Sequence, residues 1–136
     1  MIPTKVIQAE FATLLAAVPT TALMGIGIDI ETTRSIQPEA ARFFLNAWER
    51  EWLEQDGDHS SPETLLRLWT VKEAIFKADP APTDRLLGDY TLENPSRWRG
   101  VAYGRDRNLV RFQYSSLQFD EGFVSIAVVV KGECDA

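Results

Sequence analysis

The hydrophobic period of this chain changes at Asp79-Pro80-Ala81-Pro82, and that change limits its fold more than any other feature. Two prolines so close together cannot continue a helix, because each lacks a backbone N–H and its ring clashes with the preceding turn. Before them, apolar residues recur every three or four positions, as on one face of a helix. Phe11, Leu14, Leu15 and Val18 predict a helix over residues 6 to 18. Ala41, Phe44, Leu45, Trp48 and Trp52 predict one or two helices over 37 to 55, and Leu65, Leu68, Ile75 and Phe76 a long one over 62 to 78. Ser61 followed by Pro62 suits the N-cap and first position of that last helix. Beyond the prolines come short β-like runs at 89–92, 98–103, 109–117 and 123–131, separated by Gly-, Asp- and Asn-bearing turns. Helices followed by hairpin-connected strands predict an α+β fold with a small antiparallel sheet. At 136 residues, with no repeat or linker, residues 1–136 read as a single domain.

One strand is expected before the break, Ala22 to Glu31, and it ends in Gly27-Ile28-Asp29-Ile30-Glu31. Side chains two apart on a strand share a face and stand roughly 6.5 to 7 Å apart. Asp29 and Glu31 therefore point one way, and we expect Ile28 and Ile30 to point into the core. Two acids on one side are either solvated at the strand end or held by a cation. A third acid, Glu73, lies on the long helix with Lys77 one turn on, the spacing of a surface ion pair. The alternative is a hard-ion site, in which Asp29, Glu31 and Glu73 hold Mg²⁺ through oxygen at roughly 2.0 to 2.1 Å, phosphate oxygens and waters fill the octahedron, and Lys77 faces those phosphates.

Composition narrows the partners. The net charge is −6, without the basic footprint of a nucleic-acid binder. The apolar runs are too short to cross a membrane, and Gln8 and Glu10 interrupt the segment where a signal peptide needs an unbroken apolar stretch. The single cysteine, Cys134, permits no intrachain disulfide, so a cytoplasmic setting is expected. His59, the only histidine, sits in a polar turn-rich stretch and reads as surface.

Gly27-Ile28-Asp29-Ile30-Glu31 together with Trp69-Thr70-Val71-Lys72-Glu73-Ala74-Ile75-Phe76-Lys77 resembles the paired G-[IV]-D-x-E and W-x-x-K-E-[AS]-x-x-K motifs of the 4′-phosphopantetheinyl transferases. The resemblance covers about residues 24 to 130. Glu31 after Asp29-Ile30, Arg42-Phe43-Phe44 and Trp52-Leu53 favour the C-terminal half of the surfactin-synthetase-activating type over the small holo-acyl-carrier-protein synthases. It implies a long helix across a three-stranded antiparallel sheet. The implied reaction has a serine of an acyl or peptidyl carrier protein attack the β-phosphate of coenzyme A, so that phosphopantetheine is transferred and adenosine 3′,5′-bisphosphate leaves. In those terms Asp29, Glu31 and Glu73 are the metal ligands, Glu73 and Lys77 the catalytic residues, and Lys77 a contact to coenzyme A; Lys72 either meets the phosphates or covers Trp69 or other apolar surface with its stem, and Arg34 is either a further phosphate contact or a solvated surface charge. Glu73 serves two roles that the sequence does not separate, since a carboxylate on Mg²⁺ is a weaker base.

The chain departs from the family in two places. The larger enzymes have two similar halves, and both motifs here belong to the second. The small ones carry a Ser-x-[ST]-His segment on a C-terminal strand, where this chain reads Val124-Ser125-Ile126-Ala127-Val128-Val129. One copy then offers one wall of a cleft. We therefore expect a homo-oligomer, dimer or trimer, with sites between subunits, or a separate partner half. The alternative is a non-catalytic half-size relative that binds a carrier protein or partner subunit. Core packing is the default account of Trp48, Trp52, Trp98 and Phe123, though they are more aromatic surface than so small a sheet and its helices need and any excess is available to such contacts; Arg97, Arg99, Arg105, Arg107 and Arg111 are either a patch for an acidic carrier or the solvated charges of a hairpin.

Overall fold

The computed structural model describes residues 4–16, 23–32, 36–55, 61–81, 85–104, 110–120 and 122–131. Helix α1 (Thr4–Ala16) precedes strand β1 (Leu23–Thr32), a 3₁₀ turn (Pro38–Phe43), α2 (Ala47–Gln55) and the long α3 (Pro62–Ala78). Strands β2 (Thr91–Leu92), β3 (Arg99–Tyr103), β4 (Val110–Phe119) and β5 (Gly122–Lys131) follow. The α+β reading therefore holds, and the sheet is wider than the three strands expected. Among the described residues it has five, in the order β1-β5-β4-β3-β2, with every pair antiparallel. Long-range pairing places β1 beside β5, Asp29 opposite Ser125 and Glu31 opposite Phe123.

The ends of α3 are those its sequence dictates. The Ser61 Oγ accepts the Thr64 N–H at 3.2 Å, which satisfies one orphan donor of the first turn, and Pro62 sits where no N–H is missed. The helix stops at Ala78, before Asp79-Pro80. Its Leu65, Leu68, Val71, Ala74 and Ile75 are fully enclosed with Phe44, Tyr90, Leu92, Phe112 and Tyr114 in one core. Tyr90 packs edge-on to Phe76 at 6.5 Å and to Phe112 at 5.4 Å. On the opposite face of the sheet, α1 lies over β4 and β5 through Leu14 and Leu15 against Val128 and Val130. Its Glu10 carboxylate accepts from Arg99 Nε at 3.0 Å and Ser115 Oγ at 2.7 Å.

The orientation of β1 is the reverse of the one expected. Ile28 and Ile30 do not enter the core: Met24, Ile26, Ile28 and Ile30 are 37 to 46% exposed on the outer face. The inner face carries Gly25, Gly27, Asp29 and Glu31. A Cβ on Gly25 would lie 2.1 Å from the Ala78 carbonyl oxygen, and one on Gly27 2.2 Å from that of Ala74. Helix α3 rests directly on the strand backbone, an approach only glycine permits. The face with the glycines is thus the buried one, and the two acids share its parity. Of the four aromatics weighed between core and contact surface, Trp48 and Trp98 are about half exposed, Trp52 is half-buried, and Phe123 is buried against Trp98 at 5.7 Å.

Candidate active site

The crossing of β1 and α3 collects the motif residues. Asp29 is buried, and its Oδ1 accepts from the Lys77 ammonium at 2.8 Å. The same ammonium lies 3.3 Å from the Ile28 carbonyl oxygen. The other carboxylate oxygen, Asp29 Oδ2, is buried and has no hydrogen-bond partner. Two residues along the strand, Glu31 Oε1 accepts from the Trp69 indole N–H at 3.3 Å, and that indole packs edge-on to Phe44 at 5.3 Å. Trp69, Glu73 and Lys77 follow one another at intervals of a little over one helical turn, so they form a single stripe of α3. Glu73, half-buried, is its middle member, between the residues that meet Glu31 and Asp29.

An ion is compatible with this donor set on one direct observation. Burying a charged carboxylate oxygen without a partner is costly, and Asp29 Oδ2 is such an oxygen, beside two further hard oxygen donors on neighbouring positions. The carboxylates are not drawn into a ready cluster: among the described residues, no three His, Cys, Asp or Glu side chains stand close enough to hold a metal. Lys77 is the cation beside Asp29 in this arrangement.

Lys72 does not belong to the site. It is completely buried on another face of α3, and its ammonium donates to Glu49 Oε1 at 2.7 Å, to the Leu87 carbonyl at 3.3 Å and to the Tyr90 carbonyl. All three of its donors are used within the core. The reason is the roughly 100° between successive helical residues, which turns Lys72 into the core when Glu73 faces β1. Burial pushes the Lys72 pKa down, and the adjacent Glu49 carboxylate opposes that shift. Glu49 is itself locked. It exchanges hydrogen bonds with Asn46 across the first turn of α2, Asn46 N–H to Oε1 at 2.9 Å and Glu49 N–H to Asn46 Oδ1 at 3.0 Å, while Oε2 accepts the Leu92 N–H at 2.9 Å. This is a capping box whose acid also neutralises a buried lysine. Nothing in the spacing of positions 49 and 72 announces the pair.

Arg34 and His59 lie outside the described residues, as do Arg105 and Arg107 of the arginine patch. Arg97, Arg99 and Arg111 are exposed, and Arg99 is paired with Glu10. Trp69 borders the acids through its bond to Glu31, and Arg67 lies nearer the start of the same helix. The place of Trp69 in the motif, one turn before Glu73, is the spacing of a shared stripe. Arg67 is buried and donates to the Pro95 carbonyl at 2.7 Å and the Arg97 carbonyl at 3.1 Å, with its guanidinium 5.2 Å from the Trp98 ring centre. With Trp52, Trp98 and Phe123 it lines a cavity of 310 Å³, next to Glu31 across the β1–β5 register. On β5, the Ser125 hydroxyl shares a 2.7 Å hydrogen bond with Thr70 on α3.

Known proteins share this architecture. No curated protein sequence matches the chain. A holo-[acyl-carrier-protein] synthase of Thermotoga maritima has a TM-score of 0.60 at 19% identity, over 82% of this chain and 65% of that one. A holo-ACP-synthase of Plasmodium yoelii has a TM-score of 0.61 at 18% identity, over 82% of this chain and 97% of that one. Against the Thermotoga protein, the chain spans just under two thirds of the relative's length. These likenesses establish the fold. The family model of the 4′-phosphopantetheinyl transferase superfamily matches residues 25–124, both motifs included, and the chain belongs to that superfamily.

Proposed function

We propose that this chain transfers 4′-phosphopantetheine from coenzyme A to a serine of an acyl or peptidyl carrier protein, at the acids between β1 and α3, in a Mg²⁺-dependent reaction. The observation that carries the reading is the buried Asp29 carboxylate, with Lys77 on one oxygen and nothing on the other, inside the stretch that matches the family. Within the family, Glu31 after Asp29-Ile30 favours the surfactin-synthetase-activating type. The cytoplasmic setting rests on the lone cysteine, and among the described residues no helix is long and apolar enough to cross a membrane.

Asp29, Glu31 and Glu73 are the residues that would hold the ion. When bound, it would stabilise charge building on the pyrophosphate oxygens. Glu73 takes the proton of the incoming serine hydroxyl, directly or through water, within the 10²–10⁴-fold range of about that order typical of positioned bases. The serine oxygen forms a bond to the β-phosphorus, the bond to the bridging oxygen breaks, and adenosine 3′,5′-bisphosphate leaves. Lys77, on a stem at the last turn of α3, neutralises the pyrophosphate as it does Asp29 in its absence. The cavity beside Glu31 gives the pantetheine arm an aromatic wall. Incubation of the full chain with Mg²⁺, coenzyme A and several apo carrier proteins is expected to add the phosphopantetheine arm to at least one carrier, read by intact mass, and a chelator is expected to stop it. No transfer and no coenzyme A binding would leave a non-catalytic relative as the reading.

The same proposal includes a homo-oligomer. β1 is a ten-residue edge strand whose outer row, Met24, Ile26, Ile28 and Ile30, is apolar and uncharged. Long apolar edges are normally blunted by charge or proline, and this row has neither. In a chain of net charge −6, a neutral row is the surface on which two copies meet without repulsion. Light scattering should show an assembly for the wild type and a smaller species for Ile28→Lys with unchanged circular dichroism. A wild type active as a monomer would contradict the assembly.

A further inference from the structure

We infer that Lys77 and the divalent ion compete for Asp29, so that this lysine sets the order in which the site is loaded. The inference rests on the metal assignment proposed above and concerns residues of this chain alone. Its basis is an asymmetry between two partners. The Asp29 side chain is only 8% exposed and is fixed on a strand paired along its length with β5, whereas the Lys77 side chain is 48% exposed at the end of a helix. Asp29 cannot turn to find a better partner, but Lys77 can swing into solvent on its four-carbon stem without moving the backbone.

The aspartate is half satisfied. Its Oδ1 is held by the ammonium at 2.8 Å, which the Ile28 carbonyl at 3.3 Å helps to orient, and its Oδ2 is buried without a partner. Lys77 thus supplies a single positive charge to one oxygen of a carboxylate whose other oxygen remains open. An ion arriving at Asp29 meets an ammonium at the same carboxylate, and two cations that close in a partly desolvated site repel strongly. Metal binding is weak for as long as Lys77 stays. A pyrophosphate ligand removes the obstacle, because it offers Lys77 two phosphate charges on the solvent side and draws it off Asp29. Metal and pyrophosphate then bind cooperatively, each raising the affinity of the other by the same factor. The carboxylates need not be clustered beforehand, in keeping with the absence of a ready three-acid group among the described residues.

The sign of this effect separates it from a bracing role for Lys77. A lysine that only braces the fold leaves metal affinity unchanged or lower when it is lost. A competitor leaves it higher. The test is Mn²⁺ alone, titrated into the full chain without coenzyme A and followed by electron paramagnetic resonance of the free ion. Lys77→Met is expected to bind Mn²⁺ about tenfold more tightly than the wild type, within the range usual for coupled sites, while Lys77→Arg stays near the wild type. Coenzyme A is expected to tighten Mn²⁺ binding more in the wild type than in Lys77→Met. Equal or weaker Mn²⁺ binding by Lys77→Met overturns the competition. A second variant distinguishes that result from failure of the metal assignment: Asp29→Asn, placed in the Lys77→Met background, should abolish the gain. If Mn²⁺ binding survives Asp29→Asn, or if neither the wild type nor Lys77→Met binds Mn²⁺, the metal assignment itself falls and the inference falls with it. Thermal melts of each variant confirm that folded protein is compared, and Lys77→Gln replaces Lys77→Met if the latter does not fold.

Discussion

Glu73→Ala is expected to lower transfer to a carrier protein by at least about 10²-fold, the smaller end of the range for loss of a positioned base, and by more if the same carboxylate holds the ion. The fold should survive. Glu73 is half-buried on the stripe of α3 that faces β1, whereas the stripe holding the core together is Leu65, Leu68, Val71, Ala74 and Ile75. Alanine is the strongest helix former, so no local cost follows from propensity. The measurement is the rate at which carrier protein gains the arm by intact mass, beside a circular dichroism melt of the variant. A variant with wild-type transfer would show that the acids of β1 and α3 are not the reacting site. Because Trp69 and Lys77 flank Glu73 on the same stripe, a loss of transfer with an unchanged melt points to chemistry rather than to a disturbed helix.

Lys72→Met is expected to act in the opposite way, on stability and not first on chemistry. Removing one partner of a buried ion pair costs about 3 to 5 kcal/mol, because the other charge is left in a low-dielectric interior. Here Glu49, fully buried, keeps only the Asn46 and Leu92 N–H groups, and the Leu87 and Tyr90 carbonyls lose a donor. Denaturant titration should show a lower midpoint at unchanged slope. Adding Glu49→Gln to Lys72→Met should recover part of the loss, since the double variant leaves no unpaired charge. A stable Lys72→Met protein that had lost only its affinity for coenzyme A would return Lys72 to the binding site and contradict its burial.

Much of the fold was readable from local chemistry. The Ser61-Pro62 start and the Asp79-Pro80 stop bound α3 because caps and proline act over one turn, within the sequence that carries them. Hairpin order among β3, β4 and β5 follows from the turns between them. The site was readable only in outline. Positions 29 and 31 share a face by the two-residue period of a strand, and 69, 73 and 77 share a stripe by the helical one, so both halves of the constellation were visible. The motif sets Lys72 beside Glu73 in sequence, and side chains one position apart do not face each other on a helix.

By itself the sequence determined which side chains travel together: Asp29 with Glu31, Trp69 with Glu73 and Lys77, and four apolar residues of β1 on the opposite face. Only the tertiary structure decided which group is buried. Periodicity is symmetric between the two faces of a strand, so it cannot say which one meets a helix. That choice was made by close packing, since α3 can lie within a van der Waals contact of β1 only over Gly25 and Gly27, and the acids have the parity of those glycines. The same contact placed the isoleucines outside, turned Lys72 toward Glu49, and brought Lys77 to Asp29.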